Sequence, residues 1–562
     1  MASKPGELDI APSRIPFWRL ILDQGAVEHR IINAPYEGKG TDQDPFIVTF
    51  IPDDPRNPLG FKLHSKWSIT FLASMASLAV AMGSSTYSGG LEDIISQFGC
   101  SREVAILGIS LFVLGFAVGP LLWAPISEAY GRRVVLNLSL MFFTAMSAGS
   151  AGSRNIETLL ILRFFAGSLG SAPMAVSGGV ISDTFPAIER GLYSSLYAAT
   201  AFLGPAIGPI VGGFLAESGG WRWCQGLQAA FAGALWLLIL VFLPETYGPR
   251  LLQERARRLS KISGKVYRTK RDVQQVQTPT STRIKLLLSR PFILLFCEPI
   301  VLLLSIYIAI IYGTLYLLFD AYPIVFQEVR GWSPGIGGLS FLGVLVGILG
   351  SVVYNLPVYF SYKRKTLEST GRLPPEARLP STFVGSIALP VGLFWFAWTN
   401  SPSIHWMASI AAGVPFGFGM VTVYMPVLNY LMDSYTIYAA SVLAGNCLLR
   451  SSFGFIFPLF TSYMYQNLGI HWASCIPAFL ALACTPMPFF FYKYGPKIRE
   501  KCRYAAEAEA YMQSLTGSAT VPSPPAPLPP KDQGAPPSGG VADKEARDVS
   551  DKAREESAPK NA

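Results

Sequence analysis

Twelve apolar runs of roughly 20 residues divide the chain, and no other feature constrains its fold as strongly. A run of that length crosses a bilayer core as a helix, which satisfies its own backbone hydrogen bonds where no water can do so. The first six runs lie at 67–87, 104–126, 134–152, 158–182, 192–216 and 225–243. The second six lie at 292–319, 335–360, 382–399, 404–431, 438–464 and 472–492. The expected fold is an all-α membrane protein of twelve transmembrane helices, arranged as two pseudo-symmetric six-helix bundles over 67–243 and 292–493. Only 14% of the residues are charged, against about 25% in a soluble globular chain.

A polar linker, 244–291, separates the two sets and carries twelve arginines and lysines against Glu245, Glu254 and Asp272. So basic a loop stays in the cytoplasm, and an even number of spans brings both termini to the same side. Arg132, Arg133, Lys363, Arg364 and Lys365 fall on that side, while Glu92, Asp93, Glu103 and Glu328 fall on the other. The net charge of +9 equals the excess within the linker, so it reports topology and not nucleic-acid binding. The segment 1–66 has no apolar core and no signal-peptide pattern, so the first span is expected to act as the targeting signal. It reads as a largely disordered cytoplasmic tail with a short amphipathic element at Phe17 to Leu22. The segment 494–562 reads as a second cytoplasmic tail, largely disordered, since Ser514 to Ala562 is rich in Pro, Ser, Ala, Lys and Glu.

Six plus six runs suggest an internal repeat. Ile106-Leu107-Gly108-Ile109-Ser110 opens the second run and Ile336-Gly337-Gly338-Leu339-Ser340 opens the eighth, sharing I-x-G-[I/L]-S. The turn after the second run reads Ala124-Pro125-Ile126-Ser127-Glu128-Ala129-Tyr130-Gly131-Arg132-Arg133. Small residues let two helices approach, Gly131 permits a tight turn, and Glu128 can pair with an arginine. By charge alone this is a topogenic turn. As a whole string it resembles the signature loop of the major facilitator superfamily, and P-x-S-E-x-Y-G-R-R resembles the fungal twelve-span drug:proton antiporters in particular. Pro244-Glu245-Thr246-Tyr247 is similar to the way those proteins leave their sixth helix. The resemblance covers about 65–500; it implies the major facilitator fold and a role for Glu128, Gly131, Arg132 and Arg133 in a cytoplasmic gate.

A cation inside an apolar helix costs about 2.5 kcal/mol or more unless it snorkels or finds a partner, and Arg163 faces that choice one turn into the fourth run. Arg163 with Gly167 resembles the R-x-x-x-G motif that the superfamily links to proton transfer. In the fifth run, Gly204, Gly208 and Gly212 share a helix face, which suits close packing, while Pro205 and Pro209 remove backbone donors. Together with Gly213 they resemble the G-x-x-x-G-P-x-x-G-G motif of antiporters, and this resemblance implies export.

The seventh run places Glu298 early and Asp320 at its far end, with Tyr307, Tyr312, Tyr316 and Phe319 between them. Such rings face lipid or core as well as ligands, yet an acid beside them suits a cationic or polar aromatic substrate. Asn429, Tyr430, Asp433, Asn446 and Arg450 follow in the tenth and eleventh runs; Asp433 also reads as a simple helix end, and Arg450 needs an acid or a wet cavity. The proton-coupling candidates are Arg163, Glu298, Asp320 and Arg450. The cavity candidates are Tyr87, Tyr312, Tyr316, Phe319, Asn429 and Asn446.

No G-x-x-x-x-G-K-[S/T] phosphate loop occurs, so an ion gradient is expected to supply the energy. Four scattered histidines and seven separate cysteines imply neither a metal nor a cofactor, and only Cys100 and Cys224 are candidates for a disulfide at the outer face. The expectation is a monomeric, proton-coupled exporter of small amphiphilic organic molecules in the plasma membrane, working by alternating access. A polyamine or organic-acid transporter, uptake or facilitated diffusion in the same fold, and a membrane-embedded enzyme are the alternatives. The enzyme reading lacks a His or Cys beside an acid.

Overall fold

The computed structural model describes residues 21, 23–25, 27–275, 280–369 and 373–515. In the first half the spans are α1 (Leu63–Ser85), α2 (Arg102–Tyr130), α3 (Arg132–Ala151), α4 (Ile156–Thr184, stepped at Ser171), α5 (Ala187–Gly219) and α6 (Trp221–Phe242). In the second half they are α7 (Pro299–Tyr322), α8 (Leu342–Glu368), α9 (Thr382–Thr399), α10 (Gly413–Ser434), α11 (439–468) and α12 (470–501). Among the described residues, eleven stretches are long and apolar enough to cross a membrane, and the last of them holds two spans, because Gly469 breaks it at φ 73°, ψ 165°.

Three interhelical turns share that backbone geometry. Gly131 joins α2 to α3 at φ 98°, ψ 165°, and Gly220 joins α5 to α6 at φ 82°, ψ 169°. This region of conformation is open essentially to glycine alone. Gly220 and Gly469 occupy the same place in the two halves, between the fifth and sixth helix of each, so the repeat is clearer in the turns than in I-x-G-[I/L]-S.

The seventh run differs from its expected limits. Residues 292–319 are not one helix: a helix over Thr280–Cys297 stops, Glu298 takes an extended conformation, and α7 starts at Pro299. A residue before proline is pushed out of the helical region, which accounts for the break.

The larger correction concerns the tails. From residue 27 onward, 1–66 is folded against the linker and is not a disordered tail. Strand β1 (Phe46–Ile47) pairs in parallel with β2 (Tyr267–Arg268), and Ile31, Val48, Ala256 and Leu259 form a small shared core. Arg255, from the linker helix Gly248–Ser263, is bound at 2.5 and 3.1 Å by both oxygens of the fully buried Asp54. Both segments contribute side chains to that core, so neither completes it alone. Arg56 is buried beside them; burial lowers its pKa to about 10, against the opposing pull of Glu245 and Asp23. Apart from Ile21, the amphipathic element expected at Phe17 to Leu22 lies outside the described residues. At the other end, the expected disorder of 494–562 does not hold for 494–515, where α12 runs on and a helix over Arg503–Leu515 follows; residues 516–562 lie outside the described residues. All seven cysteines are free, including Cys100 and Cys224.

Candidate functional site

The charged and aromatic residues fall at three levels: the end that bears the linker, the middle of the bundle, and the far end.

At the linker end the turn at Gly131 is built around Glu245 rather than Glu128. The Glu245 carboxylate is fully buried and accepts from the backbone N–H groups of Arg132 (2.9 Å), Arg133 (3.1 Å), Thr246 (3.0 Å) and Tyr247 (2.9 Å). A methyl group on residue 131 would collide with that carboxylate, so the turn needs glycine for space as well as for φ. Arg132 donates from Nε to Asp183 (3.0 Å) and from Nη1 to Ser127 Oγ (2.7 Å), with its guanidinium 4.5 Å above the Tyr247 ring. Arg133 donates to the carbonyls of Ile21 and Leu240. Glu128 is half exposed, and its carboxylate pairs with Arg271 at 3.4 Å and with no other cation among the described residues. The second half repeats the scheme with Arg378 on Asp433 (2.9 Å), which gives Asp433 a partner beyond ending its helix. Arg499 adds two bonds to Glu376, at 2.8 and 3.2 Å.

In the middle, Arg163 is fully buried and does not snorkel. Three backbone carbonyls take its N–H groups, those of Gly108 (2.9 Å), Gly83 (2.7 Å) and Ser84 (3.3 Å), and the rings of Phe112 and Tyr87 cover its faces. Tyr87 is fixed in turn by donating to the Ala105 carbonyl at 3.0 Å. The Ser84 hydroxyl shares a 2.8 Å bond with Tyr316 of the other half, and Tyr316 lies 3.4 Å from the Tyr312 hydroxyl. The Tyr312 ring sits 4.9 Å below the guanidinium of Arg450, which donates to the Tyr424 hydroxyl. A series of contacts therefore links Arg163 to the Ser84 carbonyl, the Ser84 hydroxyl to Tyr316 and Tyr312, and the Tyr312 ring to Arg450, and it crosses from one half to the other. Phe319 packs on Tyr316, and Asn446 donates to Ser305 at 3.1 Å. Asn429 is half-buried, with no side-chain hydrogen bond among the described residues.

At the far end Asp320 is 1% exposed and is bound by Arg102 of the first half through Nη2 at 2.9 Å and Nε at 3.2 Å. Its other oxygen accepts from Ser462 at 2.7 Å, while Arg102 also reaches Glu328 and Glu92. Near this end the four glycines of α5 bring backbones together: Gly204, Gly208 and Gly212 lie on α1 and the residues that follow it. Gly213 lies against the Pro334 carbonyl of the second half, and Gly338 against that of Pro209. Gly204, Gly208 and Gly212 thus pack the first half on itself, and Gly213 carries the pattern to the seam between the halves.

The sequence candidates separate accordingly. Arg163, Tyr87, Tyr312, Tyr316 and Arg450 are brought together. Glu298 is not among them: it accepts from Tyr435 (2.9 Å) and from the Tyr504 backbone (3.0 Å), tying down the helix after α12. Arg102, Asp183, Ser84 and Tyr424 were not foreseen, because each acts through a partner distant in the chain; Arg102 and Asp320 are 218 positions apart.

Residues 73–451 match the family profile described as Major Facilitator Superfamily. The chain belongs to the major facilitator superfamily. It is 57% identical over 510 residues to the MFS-type efflux pump MFS2 of Trichophyton rubrum, covering 91% of this chain and 86% of that one. It is 54% identical over 504 residues to the major facilitator superfamily multidrug transporter mdrA of Aspergillus fumigatus, covering 90% and 83% respectively. Among solved structures, the proton:xylose symporter XylE shares the major facilitator fold, with TM-score 0.55 and 17% identity over 77% of this chain and 96% of its own.

Proposed function

We propose that this major facilitator protein is a proton-coupled efflux transporter of small amphiphilic organic molecules, lying in the plasma membrane with the linker and both termini on the cytoplasmic side. The names of its fungal relatives support export, and the basic linker supports the orientation. The observation that carries the coupling is the buried Asp320 carboxylate, held between Arg102 of one half and Ser462 of the other. Ionised, Asp320 attracts Arg102 and keeps the far end shut; protonated, it loses most of that attraction and the halves part. A proton from outside binds while the pair is apart, and the pair re-forms only as the proton leaves. Closure thereby requires Asp320 to give its proton up, and the gradient drives export only because that proton is handed inward, to an acceptor that opens toward the linker side, and not back to the outside.

Arg132, Asp183 and Glu245 hold the first half rigid during this motion, as Arg378, Asp433 and Glu376 hold the second, so the halves rock as bodies. The test is accumulation of a labelled hydrophobic drug, a polyamine and a dicarboxylate in cells with and without the protein, before and after collapse of the proton gradient. Export predicts lower accumulation of one of them, a difference that a protonophore or Asp320→Asn removes. Higher accumulation with the protein, or indifference to the gradient, would overturn it.

A further inference from the structure

Every charged side chain buried in the spans has to be reconciled with an apolar surrounding, and most of those described here are. Asp320 has Arg102, Asp183 has Arg132, Arg499 has Glu376, and Arg163 is wrapped by three carbonyls. Arg450 is the exception. It is 6% exposed, halfway along α11, and no carboxylate among the described residues pairs with it. Its partners are the Tyr424 hydroxyl and the Cys447 sulfur at 3.7 Å, and its Nε has none among the described residues. A buried guanidinium that is left without a counter-ion is expensive, and one that keeps a free donor is poised for an acceptor that is not part of the protein.

The surroundings describe that acceptor. The rings of Tyr312 and Tyr424 lie 4.9 and 5.5 Å from the guanidinium carbon. Phe202 of the first half closes on the Tyr424 ring at 4.7 Å, so the group stands where the two halves face each other. Cys447 also reaches the Phe116 carbonyl across the same seam. Rings on several sides favour a flat apolar body, and a planar fork of N–H donors favours a carboxylate.

We propose that Arg450 is the docking point for the negative charge of the cargo, and that the cargo class is an aromatic monocarboxylate. This rests on the reading of the protein as a transporter. The guanidinium donates to the Tyr424 hydroxyl, and the carboxylate displaces that hydroxyl. The aromatic body then lies among Tyr312, Tyr424 and Phe202. The charge of Arg450 is neutralised only when cargo is aboard, which makes the loaded centre less costly to carry through the seam between the halves.

The test is equilibrium binding to the full-length protein in lipid nanodiscs, with no gradient, using 2-naphthoate, 2-naphthamide and 2-naphthylmethylamine and reading tryptophan quenching. The wild type is expected to bind the carboxylate about tenfold or more tighter than the amide, the scale of one charge-assisted hydrogen bond. Arg450→Gln erases that preference, and Arg450→Lys, which keeps the charge, retains part of it. Equal binding of the three probes, no binding of naphthoate at millimolar concentration, or an undiminished preference in Arg450→Gln overturns the proposal. If Arg450→Gln does not fold, the wild-type ratio and the Lys variant decide the matter. Binding is read without transport, so failure of the efflux reading shows separately, as wild-type protein that binds naphthoate but does not expel it from cells.

Discussion

The two ends of the bundle use charge in opposite ways. At the far end the ion pair Arg102–Asp320 crosses from one half to the other, and Glu217 of the first half accepts from the Ser333 hydroxyl (3.1 Å) and the Gly335 N–H (3.1 Å) of the second. At the linker end the strong bonds stay within a half: Arg132 to Asp183 and Glu245 to its four N–H groups in the first, Arg378 to Asp433 and Arg499 to Glu376 in the second. Bonds across a seam set whether it is open, whereas bonds within a body set whether it is rigid. The far end is therefore where the conformational equilibrium is written, and the linker end is where each lever gains stiffness.

That contrast can be broken most forcefully at Arg102. Arg102→Ala leaves Asp320 buried and without its cation, which costs about 3–5 kcal/mol in the closed arrangement. Spin labels across the far end are expected to move apart, and Arg102→Ala with Asp320→Asn, which removes the stranded charge without restoring the attraction, should recover only part of the closed population. A closed far end in the single variant would deny the seam its controlling role. Glu245→Ala comes next, because several buried donors lose their acceptor at once. A loss of about 3 kcal/mol in thermal stability is expected, with far-end distances unchanged. The smallest effect belongs to Asp433→Asn, whose pair with Arg378 is partly exposed and worth about 0.2–1 kcal/mol. A large change in far-end distance from either linker-end variant would dissolve the distinction.

Legibility in the sequence followed sequence distance and periodicity. Twelve apolar runs, two halves and the Gly131 turn could be read because each is declared by neighbouring residues. Arg163 was recognisable as unusual, yet its partners are carbonyls of α1 and α2, and backbone groups leave no mark in a side-chain pattern. Asp320 stands out in the sequence as an acid at the far end of an apolar run beside aromatic rings, while nothing marks Arg102, because its partner is supplied by the other half. Glu298 lies apart from the central group for a local reason: Pro299 breaks the helix beside it, and its carboxylate meets Tyr435 and Tyr504. The fold of the N-terminal segment was invisible because its core is divided between two stretches, neither apolar enough to be noticed.

That divided core also sets an order of events during synthesis. Phe46 and Tyr267 pair although they stand 221 positions apart, and between them lies the whole first half. At about 5–20 residues per second, the early strand waits roughly 10–40 seconds for its partner to leave the ribosome. Its closure marks the moment at which six spans are complete and the second set has yet to be made.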